Sequence, residues 1–182
     1  KEIAGKEIRV AVLGNCATQF FSEAIQGYGK ISGLNLNVYD TDYNQIDAQL
    51  VDENSEVYAF HPDHILIWLA TDKIYEEFLE MDMSSRSRFA ELYMQKLEHY
   101  WSLIAAKSKA HVIQMNFTEI NDKVLGNYSC KVESTFCYQI RKLNFLLQEA
   151  MSKNGNIYPV DLLSLQIQLG TKELYYAPLY YN

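Results

Sequence analysis

The stretch Glu7-Ile8-Arg9-Val10-Ala11-Val12-Leu13-Gly14-Asn15-Cys16-Ala17-Thr18-Gln19-Phe20-Phe21 decides the fold. An apolar run, Ile8 to Leu13, reads as a strand and stops at Gly14. A short polar turn follows, and helix-forming residues begin at once. A strand that hands over directly to a helix is the first half of a βαβ unit, whose strands lie parallel and are buried on both faces. The turn also carries a thiol. Cys16 is expected near unpaired backbone N–H groups and the positive end of a helix dipole, conditions that lower a thiol pKa. If the chain does chemistry, Cys16 is the first residue to examine.

Working outward, the same alternation repeats. Strands are expected at Ile8–Leu13, Leu34–Tyr39, His64–Ala70, His111–Met115 and Asn156–Val160. Helices are expected at Ala17–Lys30, around Gln45–Val51, near Lys73–Glu80, and at Ser87–Ala106 and Val132–Met151. Phe89, Tyr93, Leu97, Tyr100 and Ile104 recur at helical spacing, as do Phe136, Ile140, Leu143, Leu147 and Met151; both stripes read as core-facing. Asn154-Gly155 reads as a stop after the last long helix. The expectation is an α/β fold: a three-layer α/β/α domain on a five-stranded parallel sheet, flavodoxin-like in order (2-1-3-4-5), with right-handed crossovers. No repeat, charge block or Pro-rich linker divides residues 1–182, so one domain is expected. Tyr175, Tyr176, Tyr180 and Tyr181 crowd the end of the chain around Pro178 and should pack on this domain or on a following one.

Composition narrows the function. The 182 residues are 48% hydrophobic, with a net charge of −7, which argues against a nucleic-acid binder resting on a broad basic surface. No apolar run is long enough to span a bilayer, and the N-terminus lacks a signal-peptide pattern. Three cysteines, Cys16, Cys130 and Cys137, form no disulfide framework, and a reducing, cytoplasmic setting is expected. The chain starts without Met and is read as a piece of a larger protein.

Parallel open sheets bind ligands beyond the carboxyl ends of their strands. The residues expected there are Asn15, Cys16 and Thr18; Asp40, Asp42, Tyr43, Asn44 and Gln45; Thr71 and Asp72; Asn116 and Thr118; and Asp161. Asn15, Thr18 and Asp72 are also capping residues, and capping is the reading that their positions favour. His61 and His64 flank Pro62-Asp63 at the opposite end of the sheet. Two imidazoles without further ligands nearby fall short of a tetrahedral site, so no metal is expected. None of the four histidines is placed to activate Cys16. No Gly-rich phosphate loop is present.

Strand–Gly14-Asn15-Cys16–helix resembles the first block of SGNH (GDSL-like) hydrolases, with Cys16 at the position of the nucleophilic Ser. Pro62-Asp63, the strand His64–Leu69 and Ala70-Thr71-Asp72 resemble the third block. There Ala70 replaces a Gly, and Asp72 stands where an oxyanion-hole Asn is expected. A second-block Gly and a closing Asp-x-x-His motif are not found. A closer similarity is to the N-terminal domain of FkbH-like proteins. It is carried by VAVLGNCATQFF, by Tyr39-Asp40-Thr41-Asp42-Tyr43-Asn44-Gln45, and by Glu56–Phe60. Asn116-Phe117, Gly126-Asn127 and Val160-Asp161-Leu162 carry it further.

That resemblance implies an SGNH-like domain preceding a HAD-type phosphatase domain, with Mg²⁺ needed only in the latter and no cofactor in this one. It implies partnership with an acyl carrier protein, or its phosphopantetheine arm, in the transfer of a glyceryl-type acyl unit. Cys16 would take the acyl group as a thioester, with its own N–H and Asn116 as oxyanion donors. Asp72 would act beside it, and Asn15, Thr18, Asp42, Tyr43, Asn44 and Gln45 would bind substrate. The rival expectations are a docking module that has lost its catalytic machinery, or a stand-alone esterase.

Overall fold

The computed structural model describes residues 5–120, 122 and 124–174. Strands β1 (Ile8–Gly14), β2 (Leu36–Asp40), β3 (His64–Trp68), β4 (His111–Met115) and β5 (Ile157–Val160) form one sheet in the order β2-β1-β3-β4-β5. Every neighbouring pair is parallel. This is the expected doubly wound architecture. The chain turns one way from β1 to β2 and the other way from β3 onward, so the loops after β1 and β3 diverge and open a crevice.

The helices are α1 (Gln19–Ile31), α2 (Ile46–Val51), α3 (Glu56–Ala59), α4 (Thr71–Glu80), α5 (Phe89–Lys107), α6 (Phe136–Ser152), α7 (Leu162–Leu169) and α8 (Thr171–Leu174). The two faces of the sheet are covered unequally. Ala11, Leu13, Ile65, Ile67 and Val112 pack beneath α2 to α6 in the main core. The α5 stripe is buried there throughout; in α6, Phe136, Ile140, Leu143 and Leu147 are buried, and Met151 lies half-buried at the margin. Full burial of each such side chain contributes about 1.5–3 kcal/mol. The other face carries Val10, Val12, Leu66 and Met115, covered by Phe21 and Ile25 of α1 and Leu162 of α7. The carboxamide of Gln139, fully buried, locks α5 to α6: it accepts from Ala90 N–H at 2.8 Å and donates to the Ser87 and Glu133 carbonyls. That bond satisfies a first-turn N–H that a helix cannot satisfy itself.

Several expected boundaries move. α1 begins at Gln19, not Ala17, and β3 ends at Trp68, so Leu69 and Ala70 lie beyond it. α5 begins at Phe89, after a 3-10 turn at Arg86–Arg88. α6 begins at Phe136, where Thr135 caps it by accepting from Tyr138 N–H. A 3-10 turn at Gly126–Lys131 precedes α6, so Cys130 and Cys137 sit on separate elements, and both are free thiols. The short helices α3, α7 and α8 were not expected; four to eight residues carry too little periodicity to announce themselves. The tyrosines at 175, 176, 180 and 181 lie outside the described residues.

Candidate functional site

The site is built on the β1–α1 turn. A Cβ on Gly14 would stand 2.6 Å from Thr18 Cγ2 and 3.2 Å from the Trp68 carbonyl oxygen, so only glycine lets the turn close against β3. Asn15 is 6% exposed, and its Oδ1 accepts from Ala70 N–H at 2.7 Å, tying the end of β1 to the end of β3. That bond fixes the amide's orientation and leaves Asn15 Nδ2 buried, without a partner among the described residues. Thr18 holds the N-cap position of α1, but its hydroxyl donates to Asp40 Oδ1 at the end of β2. Thr41 donates to the Val12 carbonyl at 3.1 Å. The capping expected of Asn15 and Thr18 is therefore replaced by cross-strand bonds. Buried polar side chains must find partners, and the nearest are on neighbouring strands.

These bonds gather the ends of β2, β1 and β3 around Cys16, which is half-buried. Its thiol is pushed up to about 11, first by burial, then by the Asp72 and Asp40 carboxylates, against a smaller opposing pull from Lys73. The expectation of a depressed thiol pKa is overturned. Cys16 lies two residues ahead of the α1 N-cap, short of the first-turn N–H groups, and the charges that act on it most strongly are negative. The sulfur is therefore held toward its neutral thiol form near neutral pH.

Asp72 lies in the first turn of α4, where a carboxylate suits the helix dipole, but Ala70 holds the N-cap position and no side chain caps the helix. The capping expected of Asp72 is not what it does. Its Oδ1 is buried without a hydrogen-bond partner among the described residues. Thr71 and Thr118 share a hydroxyl hydrogen bond at 2.9 Å, which pins the start of α4 to the segment after β4. Lys73 pairs with Glu76 at 3.0 Å, and its pKa is raised by Glu76 first, with smaller contributions from Tyr43 and Asp72. Asp42, Tyr43, Asn44 and Gln45 form an exposed loop after β2, with Asn44 at φ 56°. Tyr43 of this loop acts electrostatically on Lys73 of α4.

Asn116 belongs to a second cluster. Its Nδ2 donates to Asp161 Oδ1 at 2.7 Å, and its Oδ1 accepts from Leu163 N–H at 3.1 Å. Asp161 caps α7, accepting from Ser164 N–H at 3.0 Å and from the Ser164 hydroxyl at 2.6 Å. Those bonds, with the one from Asn116, hold the Asp161 carboxyl below the usual range. Asn116 thus clamps α7 beside a cavity of about 630 Å³ lined by Asn144, Phe145, Gln148 and Ile167. Both polar atoms of the Asn116 amide, expected as an oxyanion donor, are engaged here by Asp161 and the Leu163 N–H.

His64 and His111 are register partners at the amino end of the sheet, with ring centroids 5.7 Å apart. No histidine is among the groups acting on Cys16. Among the described residues no three His, Cys, Asp or Glu side chains are grouped to hold a metal ion. No helix among them is long and apolar enough to cross a membrane. Composition missed Lys73 as a neighbour of the thiol, although its adjacency to Asp72 in sequence was a usable signal.

A parallel sheet in this order, with a polar rim at the β1–β3 crevice, defines a doubly wound α/β domain. The model of the FkbH N-terminal domain matches residues 9–182, and the chain belongs to that family. No curated protein sequence matches it. The chain is similar to a crystal structure from Bacteroides fragilis: the N-terminal part of a protein that contains a phosphatase domain, complexed with Mg. The identity is 30% and the TM-score 0.82, over 90% of this chain and 43% of that one. The chain therefore spans less than half the length of that relative. An acetyl xylan esterase shares the fold at 14% identity and TM-score 0.57, over 91% of this chain and 85% of that one. A putative acylhydrolase from Bacteroides fragilis does so at 19% and 0.53, over 87% and 69%.

Proposed function

We propose that the domain handles a thiol-linked acyl unit at the rim formed by Cys16, Asp40 and Asp72, within a larger FkbH-type protein. The unit is of glyceryl type and is exchanged with the phosphopantetheine arm of an acyl carrier protein. Phosphatase chemistry, with its Mg²⁺, belongs to another domain of that protein, as in the related chain that contains a phosphatase domain.

The observation that carries this reading is a half-buried neutral thiol beside a carboxylate oxygen that lacks a partner among the described residues. Asp72 accepts the Cys16 proton as sulfur attacks the carbonyl carbon of the incoming thioester. The new C–S bond forms to Cys16, the bond to the carrier sulfur breaks, and the departing thiolate takes the proton back. The thiol stays protected until an acyl group arrives. Incubation with an acyl-loaded carrier, followed by intact mass measurement, tests it. Wild type gains the acyl mass; Cys16→Ala gains none; Asp72→Asn loads more slowly. Loading that survives Cys16→Ala contradicts the covalent step.

A second reading, a docking module without a covalent step, is favoured by one observation. Asp72 stands where an oxyanion donor is expected, and an ionised carboxylate repels a developing oxyanion. Under this reading the carrier binds wild type and Cys16→Ala equally, and no adduct forms.

A further inference from the structure

One side of α1 is apolar and, among the described residues, left exposed. Phe21 packs on Trp68 of β3 at 4.8 Å between ring centroids, and Gln26 reaches the Leu36 carbonyl of β2, which fixes the inward side of the helix. Away from it run Phe20, Ala24, Gly27, Tyr28 and Ile31, all exposed. Phe20 is 87%, Tyr28 71% and Ile31 82% exposed, which is unusual for aromatic and branched side chains on one stripe. The spacing of four, three, one and three residues keeps them on one line along the helix.

We propose that this stripe pairs with the same stripe of a second copy of the chain, the two α1 helices running antiparallel about a two-fold axis near residue 26. Shape and charge both carry the choice of partner. Phe20 and Ile31 stand at the ends of the stripe and the small residues Ala24 and Gly27 at its middle, with Tyr28 on the flank opposite Glu23 and Lys30. Antiparallel pairing sets Phe20 of each copy against Ile31 of the other and lets the backbones approach at the small residues. Glu23 and Lys30, seven residues apart, share one flank of the stripe. Antiparallel helices face like flank to like flank, so Glu23 of each copy lies opposite Lys30 of the other, twice by symmetry. Among the described residues neither Glu23 nor Lys30 has a salt-bridge partner within its own chain. A parallel pairing would lose this match.

A single helix stripe makes a small interface, below about 1,200 Å² in total, so a dissociation constant on the order of 10 μM is expected. Sedimentation equilibrium of the 182-residue chain between about 1 and about 200 μM tests it. Wild type shows a monomer–dimer equilibrium. Phe20→Ser with Ile31→Ser, both at exposed positions, weakens it about tenfold or more. Glu23→Lys alone weakens it severalfold, and Glu23→Lys with Lys30→Glu restores it, because the swap preserves the facing pairs. Circular dichroism confirms that each variant is folded. A wild type that stays monomeric overturns the proposal and leaves the stripe to another domain of the same protein. So does a dimer indifferent to the stripe substitutions, or a charge swap that restores nothing.

Discussion

The carboxyl end of the sheet divides into two halves that handle polar groups in opposite ways. Around β4 and β5, Asn116, Asp161, Leu163 and Ser164 bond to one another, and the result is a fixed helix. Around β2, β1 and β3, cross-strand bonds hold the frame, but Asn15 Nδ2 and Asp72 Oδ1 have no partner among the described residues, and a thiol stands beside carboxylates. Leaving buried polar groups unmade costs about 1–3 kcal/mol each. One half is built for stability. The other tolerates a cost at the switch point of the sheet, where ligands of this architecture bind.

The largest effect that would sharpen this contrast is at the frame itself. Gly14→Ala should destabilise the fold by about 1–3 kcal/mol in a denaturant titration, because the new Cβ would stand 2.6 Å from Thr18 Cγ2 and 3.2 Å from the Trp68 carbonyl oxygen, so Thr18 must move. It should also displace Thr18 from Asp40. An unchanged unfolding midpoint breaks the account of the turn.

Asp161→Ala should cost about 1 kcal/mol through loss of the α7 cap, while leaving Cys16 alkylation unchanged. The pH dependence has a definite sign. Asp161 is held below its ordinary pKa in the fold, so its contribution is present above about pH 3.9. It is lost as pH falls through the lower folded value. Wild type and Asp161→Ala should therefore converge in stability under acid; a difference that grows on acidification contradicts this. If the Cys16 alkylation rate falls with Asp161→Ala, the two halves are not separate.

Smaller again is the effect of Asp72→Asn, which removes one of the carboxylates pressing on the thiol. Alkylation of Cys16 at pH 8 should quicken severalfold, read by peptide-resolved mass spectrometry. The smallest expected change is in stability on Cys16→Ala, within about 0.5 kcal/mol, since the side chain is only half-buried. A loss of several kcal/mol would recast Cys16 as a core residue.

The strand order was legible because short Val-, Ile- and Leu-rich runs at helix-length spacing admit few alternatives. The position of Cys16 was legible for the same reason: the β1–α1 turn is local in sequence. Its ionisation was not legible. Asp40 and Asp72 come from the ends of other strands, and their approach depends on a sheet register that no local pattern encodes. Thr18 and Asn15 read as caps because a cap is the local option; their partners lie 22 and 55 residues away. Asn116 was correctly placed after β4, yet its partner Asp161 sits across the edge of the sheet, away from the thiol.

The rim keeps Cys16 as a neutral thiol, held up by burial and two carboxylates. The pH dependence of iodoacetamide alkylation, resolved for the Cys16 peptide, tests it most directly. An inflection at about 11 is expected, moving downward in Asp72→Asn. An inflection at or below the free-thiol value of about 8.5, unmoved by that substitution, would contradict it.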